Sequence, residues 1–299
     1  MRSPRTTAAL FVIVASAAFA TSGPLARAAR PVDPLFLAAF RVTVAAIFLS
    51  LLDAKNLVRD LRGVPRRTMA WIFLTGAVLG AHFALFLSGL DNTSLPAAIS
   101  LVSLEPLGVV LWAWIFFRER PSRPEQIGVA LATLGAVVVA QAANQGEHRI
   151  FGDLLVVGAV ILFGLYVAGA RAWKDALPPR TYAAVVYGSA AITLAIALLL
   201  LPPAEGTTRA PPLGSWIAML GAAVIPTMIG HTAVQTAART LSPATVSLVC
   251  PGETLGGIAI GLIALHARPQ PLEWAGAAII LAGSLIAILA IRPAASKPA

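Results

Sequence analysis

Residues 94–135 read SLPAAISLVSLEPLGVVLWAWIFFRERPSRPEQIGVALATLG, and residues 242–283 read SPATVSLVCPGETLGGIAIGLIALHARPQPLEWAGAAIILAG. The two stretches align without a gap at a constant separation of 148 positions. The alignment places Glu105 opposite Glu253, each inside an apolar run where an acidic residue is rare. Further identical pairs include Ser94–Ser242, Gly108–Gly256, Pro121–Pro269, Glu125–Glu273, Gly128–Gly276 and Gly135–Gly283. Paired glutamates do not arise from an apolar composition alone, so the sequence indicates an internal repeat.

The composition predicts a membrane protein. Of the 299 residues, 58% are hydrophobic and only 12% are charged, about half the charged share that is typical of soluble domains. Ten apolar runs are each long enough to cross a bilayer as a helix, which takes about 20 residues. They cover residues 7–26, 34–52, 68–90, 95–117, 125–142, 152–170, 182–201, 214–238, 243–265 and 272–291. None alternates with the period of two that a transmembrane strand requires, so the predicted fold is an all-α membrane protein of ten transmembrane helices.

The first run has a second interpretation. Its basic start, apolar middle and Ala-Phe-Ala end at residues 18–20 also resemble a signal peptide. We expect a retained helix, because the repeat needs a first span.

The sequence also argues against several soluble activities. It contains no GxxxxGK[ST], GxGxxG or GxSxG motif, and its four histidines lack the HExxH spacing of zinc proteases. A single cysteine, Cys250, permits neither an internal disulfide nor a cysteine metal site. We therefore predict no enzyme activity, no cofactor and no metal. The net charge of +9 would suit a nucleic acid, but the basic residues lie mainly between apolar spans, so no nucleic-acid partner is expected.

The distribution of basic residues predicts the orientation. With the N-terminus in the cytoplasm, 16 of the 22 Lys and Arg residues fall in cytoplasmic segments and 5 in outer segments. Positive residues concentrate on the cytoplasmic side of membrane proteins. This split therefore predicts a multi-pass protein of the cell inner membrane with both termini in the cytoplasm.

The repeat predicts how the protein works. Residues 1–145 and 146–299 form the two predicted domains, each of five spans. Because five is odd, the second copy must enter the membrane with the opposite orientation. Inverted repeats are a recurring architecture of secondary transporters, whose substrate site lies near the midplane between the two halves. The paired glycines of spans five and ten predict close packing of those helices, and we favour a scaffold role for them over a dimer interface.

Two stretches resemble the EamA-type family of the drug/metabolite transporter superfamily. They are HFALFLSGLDNTSLPAAISLVSLEPLGVVLWAWIFFRERPSRPEQIGVALATLGAVVV (82–139) and IPTMIGHTAVQTAARTLSPATVSLVCPGETLGGIAIGLIAL (225–265). The family's Glu-Pro pattern matches Glu105-Pro106, and its Gly-His pattern matches Gly230-His231. The second half departs from the Glu-Pro pattern at Glu253-Thr254. The resemblance implies a ten-span permease, often an exporter of amino acids or related metabolites.

Five charged or histidine residues lie well inside the predicted spans and away from their ends, and a charge at the bilayer centre costs about 2.5–3.5 kcal/mol. They are Arg41, His82, Glu105, His231 and Glu253. A glutamate there can hold a substrate ammonium or exchange a proton, and a histidine can also exchange a proton. The alternative is a structural hydrogen bond between helices. Arg41 can extend outward to the interface, pair with a carboxylate or meet a substrate carboxylate, and of these we expect structural pairing.

Spans one and six add polar candidates for substrate binding, Ser22 and Tyr166. Three prolines are candidate hinges, Pro24, Pro106 and Pro251, because proline removes a helical hydrogen bond. The last two each lie within two residues of a predicted mid-span glutamate.

Three functions remain open from the residues alone. The leading prediction is a secondary transporter, an exporter of amino acids or similar metabolites with a proton as the coupling ion. A transporter of drug-like or lipid-linked substrates would instead have an apolar cavity open sideways to lipid. An intramembrane enzyme would need a nucleophile and base, or a metal, at membrane depth. The expected partners are a small-molecule substrate, the lipid bilayer and a second copy in a homodimer.

Overall fold

The computed structural model describes residues 4–118, 120, 122–141, 147–239, 241, 246, 249–266 and 268–289. Most of these residues are helical, and the helices are connected by short turns and loops. The helices in chain order are α1 (Pro4–Phe19), α2 (Ser22–Ala28), α3 (Pro34–Leu52), α4 (Ala54–Arg62), α5 (Arg66–Asp91), α6 (Leu95–Val102), α7 (Glu105–Phe117), α8 (Arg123–Ala140), α9 (Ile150–Ala172), α10 (Pro179–Leu200), α11 (Ser215–Ala222), α12 (Thr232–Ala238), α13 (Val249–Ala264) and α14 (Pro271–Leu289). A π-helical segment, Ala223–His231, joins α11 to α12.

Among the residues that the structure describes, seven stretches are long and apolar enough to cross a membrane, so the all-helical membrane class is confirmed. They are Leu10–Ala28, Pro34–Leu52, Arg66–Asp91, Leu95–Phe117, Ile150–Ala172, Pro179–Leu200 and Ser215–Ala238. Three shorter apolar helices, Gln126–Ala140, Gly252–Ala264 and Pro271–Gly283, fall where the sequence predicts spans five, nine and ten. The structure therefore supports seven of the ten predicted spans by length, and the other three coincide with shorter helices.

Side-chain caps fix where two of the spans begin. Asp33 precedes α3 and accepts a hydrogen bond from the backbone nitrogen of Phe36 at 2.9 Å. Its other carboxylate oxygen accepts from the backbone nitrogen of Ala204 at 2.9 Å, which ties the loop after α10 to the start of α3. Ser94 caps α6 in the same way by accepting from the backbone nitrogen of Ala97 at 3.1 Å. Each cap satisfies an amide that a helix start leaves unpaired.

Glycines bring several helix backbones into direct contact. On α8, a Cβ atom at Gly135 would lie 2.7 Å from the backbone nitrogen of Ile280 and 2.8 Å from the carbonyl oxygen of Gly276, both on α14. A side chain at Gly108 on α7 would meet the carbonyl oxygen of Val160 on α9. Small residues allow this approach where no hydrophobic effect drives helices together in lipid. The predicted close packing of spans five and ten is therefore found.

Candidate functional site

Three spans are interrupted near their middles, and the predicted site residues lie around the interruptions. The first break separates α1 from α2 at Ala20 and Thr21. Pro24 explains it, because proline has no N–H and its ring clashes with the carbonyl four residues earlier, at Ala20. That carbonyl faces the second half, since a Cβ at Gly257 on α13 would lie 3.4 Å from it. The candidate hinge Pro24 thus lies one turn after a break in the helix.

The second interruption lies in span four, which the sequence predicts as one continuous helix. The structure has two helices there, because α6 ends at Val102 and α7 begins at Glu105. Pro106 occupies the first turn of α7, where its missing N–H costs nothing, and not the interior of a kinked helix. The buried Glu105 side chain therefore stands at a helix N-terminus within the span, where the helix dipole favours a negative charge.

The third interruption is the π-helical segment of span eight. Pro226 cannot donate the helical hydrogen bond to the carbonyl of Ala222. The hydroxyl of Thr227 donates to that carbonyl instead, at 2.8 Å. His231 is the last residue of the segment and is buried. π-helical segments inside α-helices are rare and are frequently found at functional sites.

The two predicted glutamates lie within range of each other's charge. Both are buried, Glu105 at 3% and Glu253 at 8% exposure. The thiol of Cys250 donates to Oε2 of Glu105 at 3.4 Å. Within the part of the chain that the structure describes, Oε2 of Glu253 has no hydrogen-bond partner. A buried acceptor without a partner carries a desolvation cost of about 1–3 kcal/mol, more when charged.

Arg41 of α3 supplies the opposite charge. Its side chain is fully buried, at 0% exposure. The alternative in which Arg41 extends outward to the membrane interface is therefore wrong. Its Nε donates to the hydroxyl of Thr227 at 2.8 Å and its Nη2 to the hydroxyl of Ser22 at 3.4 Å. The guanidinium also lies 4.5 Å from the centre of the Phe83 ring. Among the described residues, Nη1 has no hydrogen-bond partner.

Arg41 and Glu253 are close enough for their charges to interact. Nevertheless, Nη1 of Arg41 and Oε2 of Glu253 have no hydrogen-bond partner among the described residues. The expected structural pairing of Arg41 with a carboxylate is therefore replaced, in the described residues, by hydroxyl and aromatic contacts.

The two predicted histidines meet inside a group of aromatic rings. The rings of His82 and His231 are 6.0 Å apart, centre to centre. Nδ1 of His82 donates to the carbonyl of Ala159 at 2.9 Å, because a carbonyl can only accept. Phe19 and Phe83 lie 4.5 and 4.8 Å from the His231 ring. An imidazole held among aromatic rings suits contact with the apolar or aromatic part of a ligand.

The remaining candidates border the same region. Tyr166 is buried and its hydroxyl donates to the backbone carbonyl of His231 at 3.3 Å. Ser22 reaches Arg41, as described above. Pro251 falls within α13, two residues before Glu253, and its side chain lies outside the described part of the structure. The structure thus places Ser22 beside Arg41 and Tyr166 beside His231.

A second buried polar cluster lies at the end of the bundle where α6, α9 and α14 begin. Nε2 of His148 is 2.7 Å from Oδ2 of Asp153, and its Nδ1 is 3.1 Å from Oε1 of Glu273. The hydroxyl of Thr93 donates to Asp153 at 2.8 Å, and Ser94 donates to Glu273. Burial alone would lower the pKa of His148, but the two carboxylates outweigh burial and raise the pKa to about 9. This cluster joins Thr93 and Ser94 of the first half to residues of the second.

The sequence profile of the EamA-like transporter family matches this chain twice, over residues 6–141 and 150–289. This chain belongs to the EamA-like transporter family. The two matches show that the EamA unit occurs in tandem, as the internal repeat predicts. The seven long apolar stretches and the family together make it a multi-pass membrane transporter.

Two relatives of this EamA-like protein are described as transporters. Uncharacterized transporter YwfM of Bacillus subtilis is 25% identical over 296 residues, covering 95% of this chain and 94% of its own length. An uncharacterized transporter of Methanothermobacter thermautotrophicus is 26% identical over 151 residues, covering 44% of this chain and 43% of its own length. One crystal structure superposes with a TM-score of 0.68 at 18% identity, covering 95% of this chain and 98% of that chain. That likeness supports the fold.

Sequence reasoning missed several residues of the EamA-like site. Thr227 holds Arg41, and its position depends on Pro226, which the hinge analysis did not consider. Tyr187 donates to the carbonyl of Thr227 at 2.9 Å. Cys250 was considered only as a metal or disulfide residue. Prolines and hydroxyl residues inside apolar runs, here Pro226-Thr227, are the signal that would have found this group.

Proposed function

We propose that this EamA-like protein is a secondary transporter that exports amino acids or related small metabolites by alternating access. One observation carries the proposal. The side chains of Arg41 and Glu253 are both buried, are of opposite charge when ionised, and each keeps an atom without a hydrogen-bond partner among the described residues. A substrate with a carboxylate and an ammonium group would satisfy both atoms at once. Binding would then offset the cost of leaving them unpaired.

The aromatic group beside the charges supports a substrate with a carbon side chain. Phe19 and Phe83 each contact the ring of His231, and Arg41 lies over the ring of Phe83. Charged groups would orient the backbone of an amino acid, and the rings would contact its side chain.

Inverted repeats would supply the alternating motion. Glu105 and Glu253 occupy equivalent positions of the two EamA units, at the separation of 148 residues seen in the sequence. The helices are interrupted at Glu105 and at Thr227, so the backbone beside the site can bend at both positions. Discontinuous helices around a midplane site are typical of transporters built from inverted repeats. In this proposal the first unit ends near residue 145 and the second begins near residue 146.

The glutamate pair would couple transport to protons. Two carboxylates whose charges act on each other are costly to ionise together in a medium of low dielectric constant. A proton bound to the pair would leave when a substrate ammonium arrives beside it. Substrate and proton would then move in opposite directions, which is the exchange that export down a proton gradient requires.

In the proposed orientation, the protein lies in a bacterial-type inner membrane, and both termini and α4 are on its cytoplasmic side. Lys55, Arg59 and Arg62 recur at intervals of four and three on α4 and so share one face of this exposed helix. Asp60 accepts from Thr181 at 2.8 Å and holds α4 against the start of α10. The positive-inside rule assigns this end of the bundle to the cytoplasm.

The test is substrate counterflow into proteoliposomes with a labelled amino-acid panel, with and without a pH gradient. Glu253→Gln keeps the side-chain shape and removes the charge, and Glu205→Gln is the matched control because Glu205 is exposed in the loop before α11. Loss of a hydrogen bond to a charged group costs about 1.5–3 kcal/mol, so kcat/KM should fall by about tenfold or more in Glu253→Gln.

The controls separate the parts of the proposal. Full activity of Glu253→Gln would exclude this glutamate from substrate binding. Uptake that ignores the pH gradient in the wild type would exclude proton coupling and leave the amino-acid site standing. Saturable uptake of other solutes, with no amino acid transported, would overturn the substrate class.

A further inference from the structure

An apolar crevice opens between α5, α7 and α9, away from the central site. Its volume is about 480 Å³, within the range of about 300–1,000 Å³ typical of ligand pockets. Its walls include Leu74 and Val78 of α5, Phe116 of α7 and Leu165 of α9. None of the candidate site residues described above lines it. The crevice is therefore a separate feature of the molecule.

The crevice lies at membrane depth. It extends along α5 from Trp71 to Val78, which corresponds to about 10 Å of helix at 1.5 Å per residue. One leaflet contributes about half of the 30 Å hydrocarbon thickness, or about 15 Å. Among the residues that line the crevice, Thr75 alone carries a hydroxyl group, and this hydroxyl donates to the carbonyl of Trp71 at 2.9 Å. A ligand in the crevice must therefore present hydrocarbon.

Tryptophans mark one end of the crevice as the membrane interface. The rings of Trp71 and Trp173 are 6.5 Å apart and nearly parallel, with an interplanar angle of 16°. Trp112 lines the other, deeper part of the crevice, because its Nε1 donates at 2.8 Å to the carbonyl of Ile161, twelve residues before Trp173. Tryptophan concentrates where hydrocarbon gives way to headgroups.

Cationic residues follow at the same end. Arg67 is exposed and lies one helical turn before Trp71, so it shares that face of α5. Lys174 is exposed and directly follows Trp173. The crevice thus offers hydrocarbon contact within the bilayer and positive charge at the headgroup level. This complementarity fits an anionic phospholipid better than a neutral one.

We propose that this crevice binds an anionic phospholipid, with an acyl chain along Leu74 and Leu165 and the headgroup near Arg67 and Lys174. The proposal goes beyond transport, because a lipid held at α5, α7 and α9 contacts the second half of the interrupted fourth span. It also holds whatever substrate the central site takes.

The test is native mass spectrometry of the full-length protein titrated with phosphatidylglycerol or phosphatidylcholine. One phosphatidylglycerol per protein should bind preferentially. Ala172→Trp should abolish this binding, because Ala172 lines the crevice and a bulky side chain there fills it. Ala195→Trp is the matched control, since Ala195 is exposed on α10 and does not line the crevice.

The charge test uses Arg67→Gln and Lys174→Gln. Each substitution should reduce the preference for phosphatidylglycerol by about fivefold, as expected for one charge near an anionic surface. Arg62→Gln on α4 is the control for removing an exposed cation elsewhere. Because these surface substitutions leave the core intact, they keep the test valid even if Ala172→Trp does not fold.

Three outcomes would overturn the proposal. Equal binding of both lipids would show that charge plays no part. Unchanged phosphatidylglycerol binding in Ala172→Trp and in both charge variants would place the lipid elsewhere. A protein dimer that Ala172→Trp dissociates, without lipid adducts, would assign the crevice to a second copy of the chain.

Discussion

Replacing His148 with glutamine should remove the part of the pH dependence of folding stability between about pH 6.5 and 9 that this histidine contributes. In the folded protein His148 lies between the carboxylates of Asp153 and Glu273, which raise its pKa from 6.5 to about 9. The folded state therefore binds the proton more tightly than the unfolded chain does. The resulting stabilisation is complete below about pH 6.5 and is lost as the pH rises through 9.

The magnitude follows from the two pKa values. Each tenfold difference in proton affinity is worth about 1.4 kcal/mol, so a rise from 6.5 to about 9 corresponds to about 3 kcal/mol. The His148→Gln side chain would carry no charge and would leave two buried carboxylates without their cation. Breaking a buried pair in this way typically costs about 3–5 kcal/mol, so the variant should be less stable at pH 6.5.

The assay is thermal unfolding of the detergent-purified protein from pH 6 to 9.5. His266→Gln is the matched control, because His266 is exposed and outside the cluster. Neighbouring Glu147 should not contribute in this range. Its partial burial would raise its pKa, but Arg27 and Arg30 outweigh burial and lower it. If His148→Gln loses as much stability as the wild type between pH 6.5 and 9, the cluster is not the source of the pH dependence.

Three further results are expected. Gly135→Leu should lower the unfolding temperature by an amount equivalent to about 1–3 kcal/mol or more, because the new side chain would meet the backbone of α14. Gly188→Leu is the control and should leave the unfolding temperature unchanged, since a Cβ at Gly188 has open space. Thr227→Val should raise KM for substrate by about tenfold through loss of the hydroxyl that holds Arg41, whereas Thr227→Ser should keep it. A membrane-impermeant maleimide should label Lys55→Cys only from the cytoplasm and Glu205→Cys only from outside. The opposite labelling would reverse the proposed orientation.

The sequence predicted the helical class and the residues at the centre of the molecule better than the shape of the spans. The constant separation of Glu105 and Glu253 identified the repeat, because acidic pairs in apolar runs are rarely accidental. The course of span four was predicted as continuous because hydropathy does not register a break between two apolar helices. Pro106 was therefore interpreted as an internal kink, although a proline two residues into a new helix is favourable.

Contacts between distant residues could not be predicted. His148 lies in a short polar loop, and its partner Glu273 is far away along the chain. Arg41 was expected to pair with a carboxylate because a buried cation is usually paired with an anion. In the structure it contacts Thr227, Ser22 and Phe83 instead. Which hydroxyls and rings surround a buried charge depends on helix rotation, and a pattern of apolar residues fixes rotation only to within a broad face.

Cys250 makes the unmodified chain its own reporter. It is the only cysteine in the sequence, its side chain is buried, and its thiol contacts Glu105 in the centre of the molecule. A thiol is alkylated only when reagent and water reach it and it can ionise. The rate of its alkylation, compared for reagents applied from each side of the membrane, would time how often the protein's interior opens to that side. One mass increment on one residue would record the first such opening of each molecule, with no mutation in the protein being timed.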